Sequence, residues 1–172
     1  MNKTVSDIIN RRSIRRYKPE QITREELDTV LEAGKYAPTA MNRQSPIIVA
    51  LQNKEDIAVL SKLNAAVMGS SSDPFYGAPT VLVVLADPAN ANAVADGSLV
   101  MGNLMNAAYA LGLGSCWVNR AREVFAADDG KALLKKWGIE GDYIGIGNCI
   151  LGYPDEEPTA KPRKENYVYY VL

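Results

Sequence analysis

Apolar positions along the chain alternate between helical stripes and short solid runs. Val5, Ile8 and Ile9 stand at helical spacing and predict a short helix that leads into Arg11-Arg12-Ser13-Ile14-Arg15-Arg16-Tyr17. Pro19 then stops any helix. Thr23-Arg24-Glu25-Glu26 is a capping box, and Ile22 with Leu27 forms a hydrophobic staple around it. Leu27, Val30, Leu31 and Gly34 line one face of the helix that follows, which ends before Pro38. Residues 47–51 are a continuous apolar run and predict a buried strand. Ile57, Leu60 and Leu63 mark another helix, residues 69–74 a small flexible loop, and residues 81–86 a second buried strand.

The stretch 96–111 is the most helical and is apolar nearly all round, through Leu99, Val100, Met101, Leu104, Met105 and Leu111. A helix with no polar face is buried on all sides. A chain of this size has little room to enclose one, so a partner subunit is expected over one face. Residues 113–118 predict a third strand and residues 143–153 a fourth, with short helices around 122–126 and 130–137 between them. Gly145 and Gly147 fall on one face of the fourth strand at period two, which invites a close approach there. The end, Tyr167-Val168-Tyr169-Tyr170-Val171-Leu172, is β-prone and is expected to pair with something.

Composition narrows the chemistry. The 172 residues suffice for one well-cored domain, here 1–172, and no repeat or low-complexity segment divides them. A net charge of −1 gives no global field for nucleic acid or an anionic membrane. Histidine is absent, which removes the commonest general base and zinc ligand. The two cysteines, Cys116 and Cys149, are far apart and read as core thiols in a reducing cytoplasm. No signal peptide or membrane-length apolar run is visible.

Against that balanced background, four guanidinium groups crowd into six residues at Arg11, Arg12, Arg15 and Arg16. On a helix, Arg11 would share a face with Arg15 and Arg12 with Arg16. Such pairs cost about 0.2–0.5 kcal/mol each unless an anion sits between them. Guanidinium forks suit phosphate; a solvated basic helix end is the plainer alternative. Lys161-Pro162-Arg163-Lys164 is a second basic cluster, and the loop 38–46 is rich in amides. No P-loop, nucleophile elbow or dinucleotide fingerprint is present, and no carboxylate pair stands out for acid–base work. These parts suit a flat, polar, phosphorylated molecule that brings its own chemistry.

Arg11 to Tyr17 resembles the N-terminal RRSxRxF/Y signature of the nitroreductase family of flavoproteins. Pro38-Thr39-Ala40-Met41-Asn42-Arg43-Gln44 resembles its P-S/T-x-x-N-x-Q loop. Ala110-Leu111-Gly112-Leu113-Gly114-Ser115-Cys116-Trp117 is similar to its A-x-GLG-T/S-CW segment. Residues 146–154 followed by Lys161-Pro162-Arg163-Lys164 are similar to its late strand and basic tail. Each motif is weak alone; four in order over nearly the whole chain are specific.

The resemblance implies an α+β nitroreductase-like fold, with a mostly antiparallel central sheet flanked by helices and an extended C-terminal tail reaching the partner subunit. It implies a homodimer with FMN at the interface, NADH or NADPH as electron donor, and ping-pong reduction of nitroaromatics, quinones or a related small-molecule acceptor; the expectation of a cytoplasmic protein rests on the thiols and the absent signal peptide. On the same resemblance Arg11, Ser13 and Arg15 contact the FMN phosphate and ribityl chain, with Arg12 nearby, and Lys161 and Arg163 close on that phosphate. Met41, Asn42 and Gln44 reach the flavin, and the backbone around Trp117, Val118 and Asn119 lies by its reactive edge. No side chain is assigned as catalytic and no metal is implied. Arg16 and Arg43 read as surface charges. A flavin-storage module without turnover, and a specialised flavin, enone or dehalogenating reductase, are the alternatives. The chain departs from the family pattern after Gln44, where Pro then Trp is usual and Ser45-Pro46-Ile47 stands here. Its segment 68–76 is also short, where many relatives carry a longer insertion.

Overall fold

The computed structural model describes residues 1–172. Four strands form one antiparallel sheet in the order β1-β2-β4-β3: β1 (Pro46–Leu51), β2 (Thr80–Ala86), β3 (Gly114–Val118) and β4 (Ile144–Gly152). Six helices flank it: α1 (Lys3–Asn10), α2 (Arg24–Lys35), α3 (Lys54–Val67), α4 (Ala93–Ala110), α5 (Ala121–Ala126) and α6 (Asp128–Lys136). The architecture is α+β, as expected.

Period-two alternation in β2 divides the core. Val81, Val83 and Leu85 face Leu60 of α3, Val124 and Phe125 of α5, and Leu133 and Leu134 of α6. Leu82 and Val84 face Val30 of α2 and Val100, Met101 and Leu104 of α4. All seven residues of β2 are buried, the expected result for a strand covered on both faces. β1 differs from the buried strand its apolar run predicted. It lies at the sheet edge, its first four residues are half-buried and Ala50 is exposed.

The α2 start forms as its sequence dictates. Thr23 Oγ1 accepts from Glu26 N–H at 3.2 Å, and the Glu26 carboxylate accepts from Thr23 N–H at 2.8 Å. Gly34 lets α2 and α4 approach, because a Cβ there would sit 2.6 Å from Leu104 Cδ2. α4 is not buried all round: Val94 and Leu99 are about half exposed, and nothing within the chain covers them. Segment 68–76 is anchored rather than loose. Asp73 accepts from Ser61 Oγ, Phe75 N–H and Gly77 N–H, and Phe75 is buried in the core.

Gly145 and Gly147 do not share a face. Val84 pairs with Gly147 while Leu85 pairs with Gly145, so Ile146 is an extra, bulged residue that reverses the alternation. Each glycine then meets a different neighbour. A Cβ at Gly145 would lie 2.2 Å from the Ala121 backbone, and one at Gly147 would lie 2.4 Å from the Trp117 indole nitrogen. The tail 167–172 forms no strand within the chain, and all six residues are exposed.

Candidate functional site

α1 ends at Asn10, and Arg11 caps it with an extended backbone, φ −56° and ψ 134°. The arginine stretch is therefore not helical. Ser13 makes a parallel bridge to Ser115 of β3, and Ile14 N–H donates to Ser115 C=O at 3.0 Å. Ile14 is buried against Gly114. Alternation in an extended chain sends Ser13 and Arg15 away from that side. Arg11 is half-buried, and its Nη1 is buried with no hydrogen-bond partner. Arg12 is committed elsewhere: its Nη1 donates to the carbonyls of Ile9 at 2.9 Å and Arg11 at 2.7 Å, closing the free end of α1.

The start of the tail is zipped to this segment. Tyr17 bridges Pro154, Lys18 N–H donates to Tyr153 C=O, and Asp155 N–H donates to Arg16 C=O. Arg15 N–H donates to the Glu156 carboxylate, and Arg16 pairs with Asp155 at 3.3 Å on the surface. Two stretches some 140 positions apart in sequence thus become neighbours, which brings the base of the second basic cluster beside the first. Lys161 and Arg163 themselves are exposed. Tyr17 donates its hydroxyl proton to Ile14 C=O at 2.6 Å. Burial, chiefly, pushes its pKa far above the usual tyrosine value.

The amide-rich loop carries the most unusual backbone in the chain. Met41, Asn42 and Gln44 have φ of 53°, 53° and 51°, in the left-handed region. Such non-glycine residues cost about 1–3 kcal/mol each and persist only where surroundings hold them. Gln44 Nε2 donates to Asn42 Oδ1 at 3.0 Å, and Gln44 N–H to Thr39 Oγ1 at 3.1 Å. Met41 is 75% exposed. A cleft beside Asn42 and Gln44 is lined by Leu31, Lys35, Tyr36 and Ile48, and by none of the arginines.

Trp117, Val118 and Asn119 leave the end of β3. The Trp117 indole lies against Gly147, with its Nε1 buried and without a partner. Beneath it lies fully buried Asn148, whose Nδ2 bonds Asn64 Oδ1 at 3.1 Å and faces the carbonyls of Val118 and Asn119 at 3.4 and 3.5 Å. Arg120 follows with φ 81°. Cys116 and Cys149 are free and buried, and burial pushes the Cys149 thiol up to about 12, which fits core residues.

Several buried polar residues escaped the sequence reading, Asn64 and Asn90 among them, and two stand out. Asn148 is a lone amide in a strand of glycines and aliphatics. Asp96 is a lone carboxylate in the first turn of an apolar helix, and it is 3% exposed. The signal for both was a polar residue with no solvent face to occupy.

The family model described as the nitroreductase family matches residues 8–157. A relative from Archaeoglobus fulgidus is 31% identical over 163 residues, covering 91% of this chain and 88% of its own; its name gives NADH dehydrogenase/NAD(P)H nitroreductase as a provisional assignment. The FMN reductase [NAD(P)H] of Bacillus subtilis is 24% identical, with 95% of this chain and 70% of its own covered. Among solved structures, a nitroreductase with bound FMN from Bacteroides fragilis superposes over the full length of both chains with a TM-score of 0.92 and 26% identity.

Proposed function

Because the chain belongs to the nitroreductase family, we propose that it is an FMN-dependent oxidoreductase drawing electrons from NADH or NADPH. Nitroaromatics, quinones or related electron-poor small molecules are the proposed acceptors. The observation that carries the reading is Arg11 Nη1, a buried guanidinium nitrogen with no acceptor. Leaving a charged donor unpaired costs more than the about 1–3 kcal/mol of a neutral group, and a phosphate oxygen removes that cost.

Bound FMN supplies hydride chemistry, which is why a chain without histidine can serve. The residues present fit it. Arg11, Ser13 and Arg15 are assigned to the phosphate and ribityl chain, with Lys161 and Arg163 closing from the tail. Arg12 acts indirectly, by fixing the end of α1 behind Arg11. Asn42 and Gln44 would offer amides to ring or ribityl oxygens, with Met41 beside them, and the backbone around Trp117, Val118 and Asn119 would lie by the flavin.

The reading includes a homodimer of single-domain chains, 1–172, with the cofactor between them, in the cytoplasm. Its supports are exposed Val5, Ile8 and Ile9 on α1, exposed Leu99 on α4, and an apolar tail that folds on nothing in its own chain. Asn42 and Gln44 line one cleft of the chain, and Arg12 lines a separate one. A second copy would bring the two sets to one ligand.

The test is optical. Purified protein is expected to be yellow, to bleach with NADH or NADPH without oxygen, and to recover colour with a nitroaromatic or quinone. Flavin that binds but resists both nucleotides would leave the storage alternative in place of the enzyme.

A further inference from the structure

One buried carboxylate pins both ends of the amide loop. Asp96 Oδ1 accepts from Ala40 N–H at 2.9 Å, where the left-handed run begins. Asp96 Oδ2 accepts from Asn90 Nδ2 at 2.9 Å. The same Asn90 nitrogen donates to Ser45 Oγ at 2.8 Å, where the run ends. Asn90 is itself fixed, because its Oδ1 accepts from Asn92 N–H at 3.1 Å and its carbonyl from Ala93 N–H at 2.9 Å. Asp96 and Asn90 are 3% and 6% exposed. Asp96 therefore reaches the loop directly through Oδ1 and indirectly, through Oδ2 and Asn90, at Ser45, and no cation pairs with it.

Between the two pins lie Met41, Asn42 and Gln44, all with positive φ. Besides its internal bonds, the loop is held at both ends from outside, at Ala40 and at Ser45. The Asp96 charge strengthens both bonds, and the residue sits in the first turn of α4, where the helix dipole favours an anion. Ser45 stands where the resembled pattern has proline, a residue with no hydroxyl to offer as an outer pin.

We propose that Asp96 is a positioning residue that acts through Ala40 and, by way of Asn90, through Ser45 to hold Asn42 and Gln44 ready for the ligand. This rests on the assignment of those amides to FMN. Asp96→Asn keeps the shape but sets an amide nitrogen against the Asn90 amide nitrogen. The double variant Asn90→Asp with Asp96→Asn restores one donor and one acceptor, and the Ser45 hydroxyl can then donate to the new carboxylate.

The experiment measures hydrogen exchange at amides 40–45 with and without FMN, FMN affinity by flavin fluorescence, and the melting temperature. In Asp96→Asn, exchange at these amides should rise and FMN affinity fall by about tenfold or more, with the double variant recovering most of both. Ser45→Ala should free only residues 43–45, by about threefold. If Asp96→Asn melts outright, Ser45→Ala and the double variant decide the matter. Unchanged loop exchange in Asp96→Asn, or a double variant no better than the single, overturns the proposal. If the unaltered protein binds no FMN, the assignment of function fails, while loop exchange in the free protein still decides the clamp.

Discussion

The two basic segments serve one proposed ligand, yet the fold treats them oppositely. Arg11 is half-buried, flanked by a capped helix and a bridge to β3, with one nitrogen sealed from water and unpaired. Lys161 and Arg163 lie exposed on a tail whose last hydrogen bond to the body of the chain is at Glu156. The first segment has met its ordering cost during folding. The second, exposed, has that cost still to meet if it closes on a ligand. The lesson is that charge alone does not rank residues. A cation already desolvated gains more from a phosphate than one that must leave water first.

The strongest way to break this contrast is to remove Arg11. Arg11→Ala should weaken FMN binding by about 10- to 150-fold, as expected for a buried charged hydrogen bond, in a fluorescence titration. Next comes the support beneath the site. Gly147→Ala drives a methyl group into the Trp117 indole and should cost about 1–3 kcal/mol of stability in a denaturant melt. If Trp117 sets the backbone around Asn119, flavin binding should weaken with it.

Thr23→Ala provides a control remote from the arginines. Loss of the cap should cost about 1 kcal/mol of stability and leave the ratio of FMN to riboflavin affinity unchanged. The same cap gives a pH signature. Thr23 N–H, first, and the Tyr153 hydroxyl hold the Glu26 carboxyl below its usual range. Stability from this group is therefore present above the ordinary glutamate pKa and is lost as pH falls through the lowered folded value. The acid limb of a melting profile should flatten in Glu26→Gln. The smallest expected effects are at the tail: Lys161→Ala and Arg163→Ala should each change FMN affinity by about fivefold or less. A larger loss there than at Arg11 would reverse the ranking.

Much of this was legible before any coordinates. The capping box, the two-sided burial of β2 and the order of elements follow from pattern alone, because each rests on neighbours in sequence. The alternation of Gly145 and Gly147 was misread because a single bulged residue, Ile146, leaves no mark in composition. β1 read as buried because an edge strand and a central strand can carry the same apolar letters. The zipper between Arg15–Tyr17 and Pro154–Glu156, and the clamp at Asp96, join residues far apart in sequence, which no local pattern encodes. The resemblance supplied the candidate site residues; the structure shows that Arg11 and Arg12, adjacent and chemically identical, have different surroundings, one nitrogen of Arg11 buried and unpaired and one of Arg12 bonded to two carbonyls.

The most direct test of the central claim compares FMN with riboflavin, which differ only by the phosphate, in the unaltered protein and in Arg11→Ala. The account predicts that the unaltered protein binds FMN far more tightly, and that Arg11→Ala loses most of that preference while riboflavin affinity hardly moves. Equal loss of both ligands, or a preference for FMN that survives without Arg11, would contradict it.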